Sequence, residues 1–331
     1  MYQSKKIIIT AIFFFCWELN AQVALPTFQA THYVKIGLYS FSSHTFTNCG
    51  STGKNGPTLA NCKSSYDVSW ENNTDYFNVP NDAGIQYWTV PVTGTYTIEA
   101  YGAQGGDVGG EGARMRGNFN LTQGDILNIL VGQAGGTADN QHGSGGGGSF
   151  VATNDDTPLV VAGGGGGHGK SGLGSNADGA TTTSGKGGSN GTAAQGGSGG
   201  GGGSAAGSSG AGGTRTTNGS NVTSSTWASG GGGFYTHGGK YKNQTLLGGQ
   251  SFVSGGVGGQ KSNQTGNTDG GFGGGGGCGD RGAGGGGYSG GGGGTSNSYG
   301  GGGGGSYNSG SSQSNSAGVR EDHGQVIITL N

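Results

Sequence analysis
The side chains able to do chemistry are few and poorly spaced for it. The acids and bases Asp107, Glu111, Asp125, Asp155, Asp156, Asp269, Asp280, Glu321, Asp322, His142, His168, His237 and His323 set no nucleophile against a base. They read as solvated loop residues. Strings of the form GxGxxG recur, but with 87 glycines among 331 residues they arise from composition alone, and none follows a strand with a helix beyond it. The phosphate-loop pattern GxxxxGK followed by Ser or Thr does not occur. The sequence therefore predicts no catalytic residue, no cofactor and no metal. A hydrolase-type enzyme is the most remote of three functional readings.

Cysteine chemistry is more informative. Of four cysteines, Cys16 lies in an N-terminal apolar run, which leaves Cys49, Cys62 and Cys278. Cys49 and Cys62 flank the turn-rich segment GSTGKNGPTLAN. A disulfide closing such a loop stabilises by about 3 kcal/mol in an oxidising compartment. A metal site is the rival reading, but there is no CxxC pair and the nearby His44 has no partner at ligand spacing. The disulfide is favoured. Cys278, in GGFGGGGGCGDRG, is left odd: a lone thiol, one end of an intermolecular bridge, or a residue whose partner has been lost. Glycosylation sequons stand at Asn72, Asn120, Asn190, Asn218, Asn221, Asn243 and Asn263, and mark exposed loops if the chain passes through a eukaryotic secretory pathway. In a bacterium they carry no meaning.

The first 21 residues show how the chain reaches such a compartment. Lys5 and Lys6 precede the apolar run Ile7 to Trp17, and Leu19-Asn20-Ala21 places a small residue before Gln22. This is the order of a secretory signal, residues 1–21, removed after Ala21. An uncleaved short anchor is the alternative. No later apolar run approaches the roughly 20 residues that span a bilayer, so the mature chain is expected outside the cell or on its surface, without a membrane anchor of its own.

Composition bounds the rest. Charged residues make up 10% and the net charge is -2, against about 25% charged in ordinary domains. No basic stripe exists for phosphate binding, which argues against nucleic acid. Residues 22–38 form a lead-in without period. Residues 39–162 alternate like β-strands: Tyr39, Phe41 and Phe46; Tyr66 to Trp70; Gly84 to Val92, ending at or edged by Pro91; and Thr95 to Gly102, the clearest of all. Gly117 to Leu121 and Asp125 to Val131 are predicted to form a hairpin about Thr122-Gln123-Gly124, with the second arm, apolar on both faces, inside a sandwich. Ser149 to Ala152 and Pro158 to Ala162 form another pair of arms. A closing strand, Gly324 to Leu330 within residues 319–331, must return to the sheet.

Residues 163–318 are the glycine-rich region, with runs at 163–167, 199–203, 230–233, 273–277, 284–287, 290–294 and 300–305. Collagen is excluded, because the Gly-X-Y period is missing and the whole chain has 5 prolines. Two readings remain. One is a flexible linker; the other is a bundle of polyglycine-II-type helices, about three residues per turn, each bonding its neighbours through a backbone with no internal hydrogen bonds. Tyr235, Tyr241, Tyr288, Tyr299 and Tyr307 either supply a binding surface or cap the ends of the runs.

Several blocks carry a family likeness. Cys49 to Cys62, Trp88 to Gly106 (WTVPVTGTYTIEAYGAQGG), Gly117 to Gln133 (GNFNLTQGDILNILVGQ), Gly145 to Val151, Leu159 to Gly167 (LVVAGGGGG), Gly271 to Cys278 and His323 to Ile328 occur in that order. Together they resemble the extracellular glycine-rich domain of the anaplastic lymphoma kinase and leukocyte tyrosine kinase receptors. The resemblance implies a jelly-roll sandwich like that of tumour necrosis factor with an inserted glycine-helix bundle, and a role in binding protein ligands outside the cell. It does not extend to a transmembrane segment, a growth-factor-like cysteine module or a kinase domain, so signalling by this chain is not implied. The family's second cysteine, upstream of the position matched by Cys278, has no evident counterpart here, and none of the receptors' ligand-contacting residues has a matching motif. The sequence thus predicts a mostly β, secreted, non-enzymatic module for adhesion or capture of an extracellular protein or surface glycan. A self-associating matrix or surface-coat protein is the alternative.

Overall fold
Residues that alternate in polarity at period 2 bury one face of a strand, and Tyr96, Ile98 and Ala100 do so in the computed structural model, buried beneath half-exposed Thr97, Glu99 and Tyr101. The structure describes residues 37–138, 142–170, 172–188, 194–205, 215–221, 228–240, 248–261, 268–279, 281–294 and 299–331. The expected signal and most of the lead-in lie outside them. In chain order the strands are β1 (Ser43–Phe46), β2 (Phe77–Asn78), β3 (Gln86–Thr89), β4 (Gly94–Tyr101), β5 (Gly112–Leu121), β6 (Ile126–Leu130), β7 (Ser149–Thr153), β8 (Pro158–Ala162), β9 (Tyr307–Asn308), β10 (Ser311–Arg320) and β11 (Gln325–Leu330), with one α-helix among the described residues, α1 (Leu59–Ser65), and two single 3-10 turns at Pro80–Asp82 and Phe252–Ser254. They form two antiparallel sheets, ordered β1-β11-β4-β5-β10 and β2-β3-β6-β7-β8-β9.

The sheets enclose one apolar core, with Phe46, Tyr96, Ile98 and Ile328 from the first meeting Trp88, Leu127, Ile129 and Val151 from the second. The closing strand β11 lies between β1 and β4, so the chain's last strand is central to the first sheet. The second sheet is buried on its other face too. There Leu130, Phe150, Ala152 and Val161 pack against Phe234, Phe252 and Phe272 of the glycine-rich region. The Phe234 and Phe252 rings stack at 4.7 Å and Phe150 meets Phe252 at 5.1 Å. Double burial explains the apolar run LVVA and the run LNILV, in which Asn128 alone is polar and is itself buried, as strands covered on both sides.

Between these strands the glycine runs bond to one another by main chain. Gly164 N–H donates to Gly286 at 2.8 Å, Gly286 to Gly146 at 2.9 Å, and Gly304 to Gly164 at 2.8 Å. Gly231 donates to Gly291 and Gly203 to Gly231 at 2.9 and 2.8 Å. Ala103 N–H donates to Gly147, and Gly165 returns to the Ala103 carbonyl, both at 2.9 Å, so the end of β4 feeds directly into the lattice. Close approach requires glycine: a Cβ on Gly291 would sit inside contact distance of the Gly302 carbonyl, and one on Gly165 inside that of Gly110. The described part of the region is thus tied into the fold, and the linker reading does not describe it.

Four expectations are corrected. Gly117 to Leu121 and Asp125 to Val131 are no hairpin: β5 pairs with β4 and β10 in the first sheet, whereas β6 pairs with β3 and β7 in the second, so the turn at residues 122–125 crosses between sheets. Tyr66 to Trp70 forms no strand: Tyr66 is the C-cap of α1, a helix that begins at Leu59 within the segment read as turns and runs past it to Ser65. That helix is started by a capping box: Asn61 N–H donates to the Thr58 hydroxyl at 3.1 Å and Thr58 N–H to Asn61 Oδ1 at 2.9 Å. Tyr39 and Phe41 pack on the core from outside any strand, and β1 starts only at Ser43. Finally, β10 occupies residues assigned to the glycine-rich region; its Ser, Gln and Asn side chains are exposed along a sheet edge.

Candidate functional site
The second sheet is covered by the glycine runs, which leaves the outer face of the first as the sandwich's open surface. Its residues follow from register. Thr95, Thr97, Glu99 and Tyr101 on β4 stand opposite Asn120, Asn118, Arg116 and Arg114 on β5. From the other side β11 brings Ile327 beside Glu99 and Thr329 beside Thr97.

Glu99 is the hub of this face. Arg114 grips it bidentately, Nε to Oε1 at 2.9 Å and Nη2 to Oε2 at 3.1 Å, while Arg116 Nε lies 3.4 Å from Oε2. The Tyr101 hydroxyl donates to Oε1. Partial burial works against ionisation of Glu99, but hydrogen bonds from Arg114 and Tyr101, with the charges of both arginines, outweigh it and hold the carboxyl below its ordinary range. Hydrogen bonding to Glu99 raises Arg114 in turn, and Tyr101 is raised by burial and by its bond to the same carboxylate. Around the hub runs a polar row. Thr95 Oγ1 donates to Asn120 Oδ1 at 2.8 Å, and the Thr97 hydroxyl lies 2.9 Å from both Asn118 Oδ1 and Asn331 Oδ1. Thr97, Glu99, Arg116, Ile327, Thr329 and Asn331 line an open depression of about 220 Å³. The result is one carboxylate held ionised by two guanidinium groups, with the hydroxyls of Thr97 and Thr329 beside it in the depression.

Of the residues singled out by sequence, Asn120 belongs to this polar row and the others fall elsewhere. Cys49 and Cys62 are joined in a disulfide that ties α1 to the core beside β1. Cys278 has no exposure, its thiol donates to the Gly279 carbonyl at 3.0 Å, and its backbone bridges to Ala228. Asn72, Asn120, Asn218 and Asn221 are exposed; Asn190, Asn243 and Asn263 lie outside the described residues. Of the tyrosines, Tyr235, Tyr288 and Tyr307 come together at the rim of the second core, Tyr288 stacking on Tyr307 at 4.8 Å, with the Arg215 guanidinium 4.2 Å over Tyr235. Tyr299 is half-buried at the start of the 300–305 run, and Tyr241 is outside the described residues. Among the described residues His168 pairs with Asp107 at 3.7 Å, His323 with its neighbour Asp322 at 3.6 Å and Asp269 with Lys54 at 3.3 Å, while Asp280 lies outside them. Among the described residues no group of three His, Cys, Asp or Glu could hold a metal, and no helix is long and apolar enough to cross a membrane.

The Glu99, Arg114 and Arg116 cluster was not read from the sequence. Its signal was present in Ala113-Arg114-Met115-Arg116-Gly117, where arginine alternates with buried Met115 at strand period.

No family model matches the chain. The leukocyte tyrosine kinase receptor of Mus musculus is 38% identical over 96 residues, covering 27% of this chain and 11% of the receptor. The likeness supports a distant relationship to that receptor family. The match thus takes in about a ninth of the receptor's length, and the receptor's activity as a whole is a separate matter.

Proposed function
We propose that the chain is an extracellular, non-enzymatic glycine-rich module that captures a protein or surface glycan at a cell surface. In this reading the sandwich is a jelly roll of the tumour-necrosis-factor type, and the bonded glycine runs are polyglycine-II helices serving as a rigid platform. The observation that carries the proposal is the asymmetry of the sandwich: one sheet is buried under the glycine runs, and the other presents a polar face whose charged cluster is already fixed in place. A face organised before its ligand arrives loses less entropy on binding. The Cys49–Cys62 disulfide fits an oxidising compartment, and the likeness to a cell-surface receptor points the same way.

The test is to follow the native protein, carrying an epitope on the N-terminal side of Gly37, among medium, washed cell surface and detergent-insoluble residue, with and without reductant. Saturable rebinding of soluble protein to cells is the expected result. An insoluble pool released by reductant would instead make the chain a cross-linked matrix protein. Burial of Cys278 opposes that outcome, since the bundle would have to open before the thiol could reach another chain.

A further inference from the structure
Arg114 and Arg116 are not equivalent. Arg114 gives Nε and Nη2 to Glu99 and Nη1 to the Ser314 hydroxyl at 3.3 Å. Arg116 offers Glu99 only its Nε, at 3.4 Å, and its side chain is 39% exposed at the wall of the depression. Its two Nη groups meet no acceptor among the described residues. We infer that this depression binds a carboxylated sugar of the uronate type within an acidic glycan, a reading that rests on the face being the capture surface.

The surroundings fit each part of such a sugar. A guanidinium edge matches a planar carboxylate with two parallel hydrogen bonds, and Glu99 does not compete for that edge because Arg114 and Tyr101 already satisfy it. Half-exposed Ile327 gives the C–H face of a pyranose ring an apolar floor, and Thr97, Thr329 and Asn331 can donate to or accept from ring hydroxyls. At about 220 Å³ the depression is smaller than the roughly 300 Å³ at which sites for larger ligands begin. It takes one ring, and the open row of Thr and Asn side chains along β4 and β5 is where the neighbouring sugars lie. On the face itself two guanidinium groups, Arg114 and Arg116, stand against one side-chain carboxylate, Glu99. An acidic peptide fits less well. Peptide recognition relies on a bare strand edge or buried large anchors, and this site is mid-sheet with Ile327 as its one apolar side chain.

The experiment is titration calorimetry of the full chain, untagged at its C-terminal side because Asn331 lines the depression, with three probes of equal length. These are galacturonate oligomers, the carboxyl-reduced neutral oligomers and poly-glutamate. Galacturonate is expected to bind saturably, with affinity falling at least tenfold in Arg116→Ala, partly restored in Arg116→Lys, and reduced in Ile327→Ala, at unchanged melting temperature. Equal binding of the neutral oligomer, equal binding of poly-glutamate, an unaffected Arg116→Ala, or no binding of galacturonate would each overturn the assignment. If cells capture the protein and its Arg116→Ala variant alike while galacturonate does not bind, the ligand class falls and the capture reading stands. Galacturonate binding without cell capture would do the reverse.

Discussion

Between the two sheets, neighbours are held apart and together by side chains: Trp88, Tyr96, Phe46 and Ile98 have no exposure and fill the space that the backbones leave. Within the glycine runs themselves almost no side chain stands between neighbours, and the backbones approach closely through their N–H and C=O groups. The first arrangement gains its stability by removing apolar area from water, about 25 cal/mol per Å². The second must recover the large conformational entropy of ordered glycine through the number of its bonds and through docking on a prebuilt sheet. Enlarging or shrinking a residue therefore means opposite things in the two regions.

The largest effect should come from adding atoms to the lattice. Gly291→Val places its side chain against the Gly302 carbonyl, where no rotamer change relieves the clash. A loss above about 4 kcal/mol is expected, read as rapid amide exchange across residues 284–305 with the sandwich still protected. Gly124→Ala sharpens the contrast. Gly124 has φ +90° and open space around its Cβ position, so it should cost only the strain of a positive φ, about 1–2 kcal/mol. Equal losses at the two sites would show that the runs are not close-packed.

Next is the seam between the regions. Phe252→Ala removes a ring stacked on both Phe150 and Phe234, at an expected cost of about 3–5 kcal/mol. The bundle should detach before the sandwich melts, giving two thermal transitions where one is expected of the native chain. A single, equally cooperative transition would mean that the two regions stand or fall together.

The smallest effect belongs to the sandwich and is set by pH. His44 on β1 is enclosed edge-on by Phe46, Tyr66 and Trp70, at 4.7, 4.6 and 4.9 Å, and burial lowers its pKa to about 4. Above its unfolded value of about 6.5 the ring is neutral in both states and its full contribution is present. As pH falls from there towards 4, the unfolded chain takes the proton first and stability declines. Allowing for residual solvent access, the loss is of order 2 kcal/mol. Urea midpoints measured across that window should slope downward with acidification, and the slope should flatten in His44→Phe. What slope remains belongs to His237 and His323, which burial also holds low, and at the acid end of the window to Glu99, whose carboxyl the arginines hold low.

Strands with one or two apolar faces, β4, β7, β8 and β11, were legible in the sequence because a buried face imposes its period on the residues. The turn after Leu121 was legible as a turn but not as a crossing between sheets, since Thr122-Gln123-Gly124 closes either connection equally well. α1 was hidden because its capping box has Asn61 where Glu or Gln is the usual signal, and β10 because an exposed edge strand of Ser, Gln and Asn has the composition of a loop. The candidate site depended on the missed half of β5. Without Gly112 to Arg116 in register with β4, the two arginines had no reason to meet Glu99.

The lattice of identical amide groups has a consequence for assembly. A carbonyl of one glycine run offers an incoming N–H the same partner as a carbonyl of any other, so the bonds that hold the runs do not say which run belongs where. That address is written at the ends: in β4, which delivers the chain to Ala103, in β7 and β8, which launch Gly163, and in Phe234 and Phe252, which fit only one patch of the second sheet. A chain whose strands have not yet paired would find many misthreaded bundles of nearly equal energy. Strands first and glycine last is then the order that avoids them, and the interval before β11 pairs with β1 and β4 is the one in which misthreading competes.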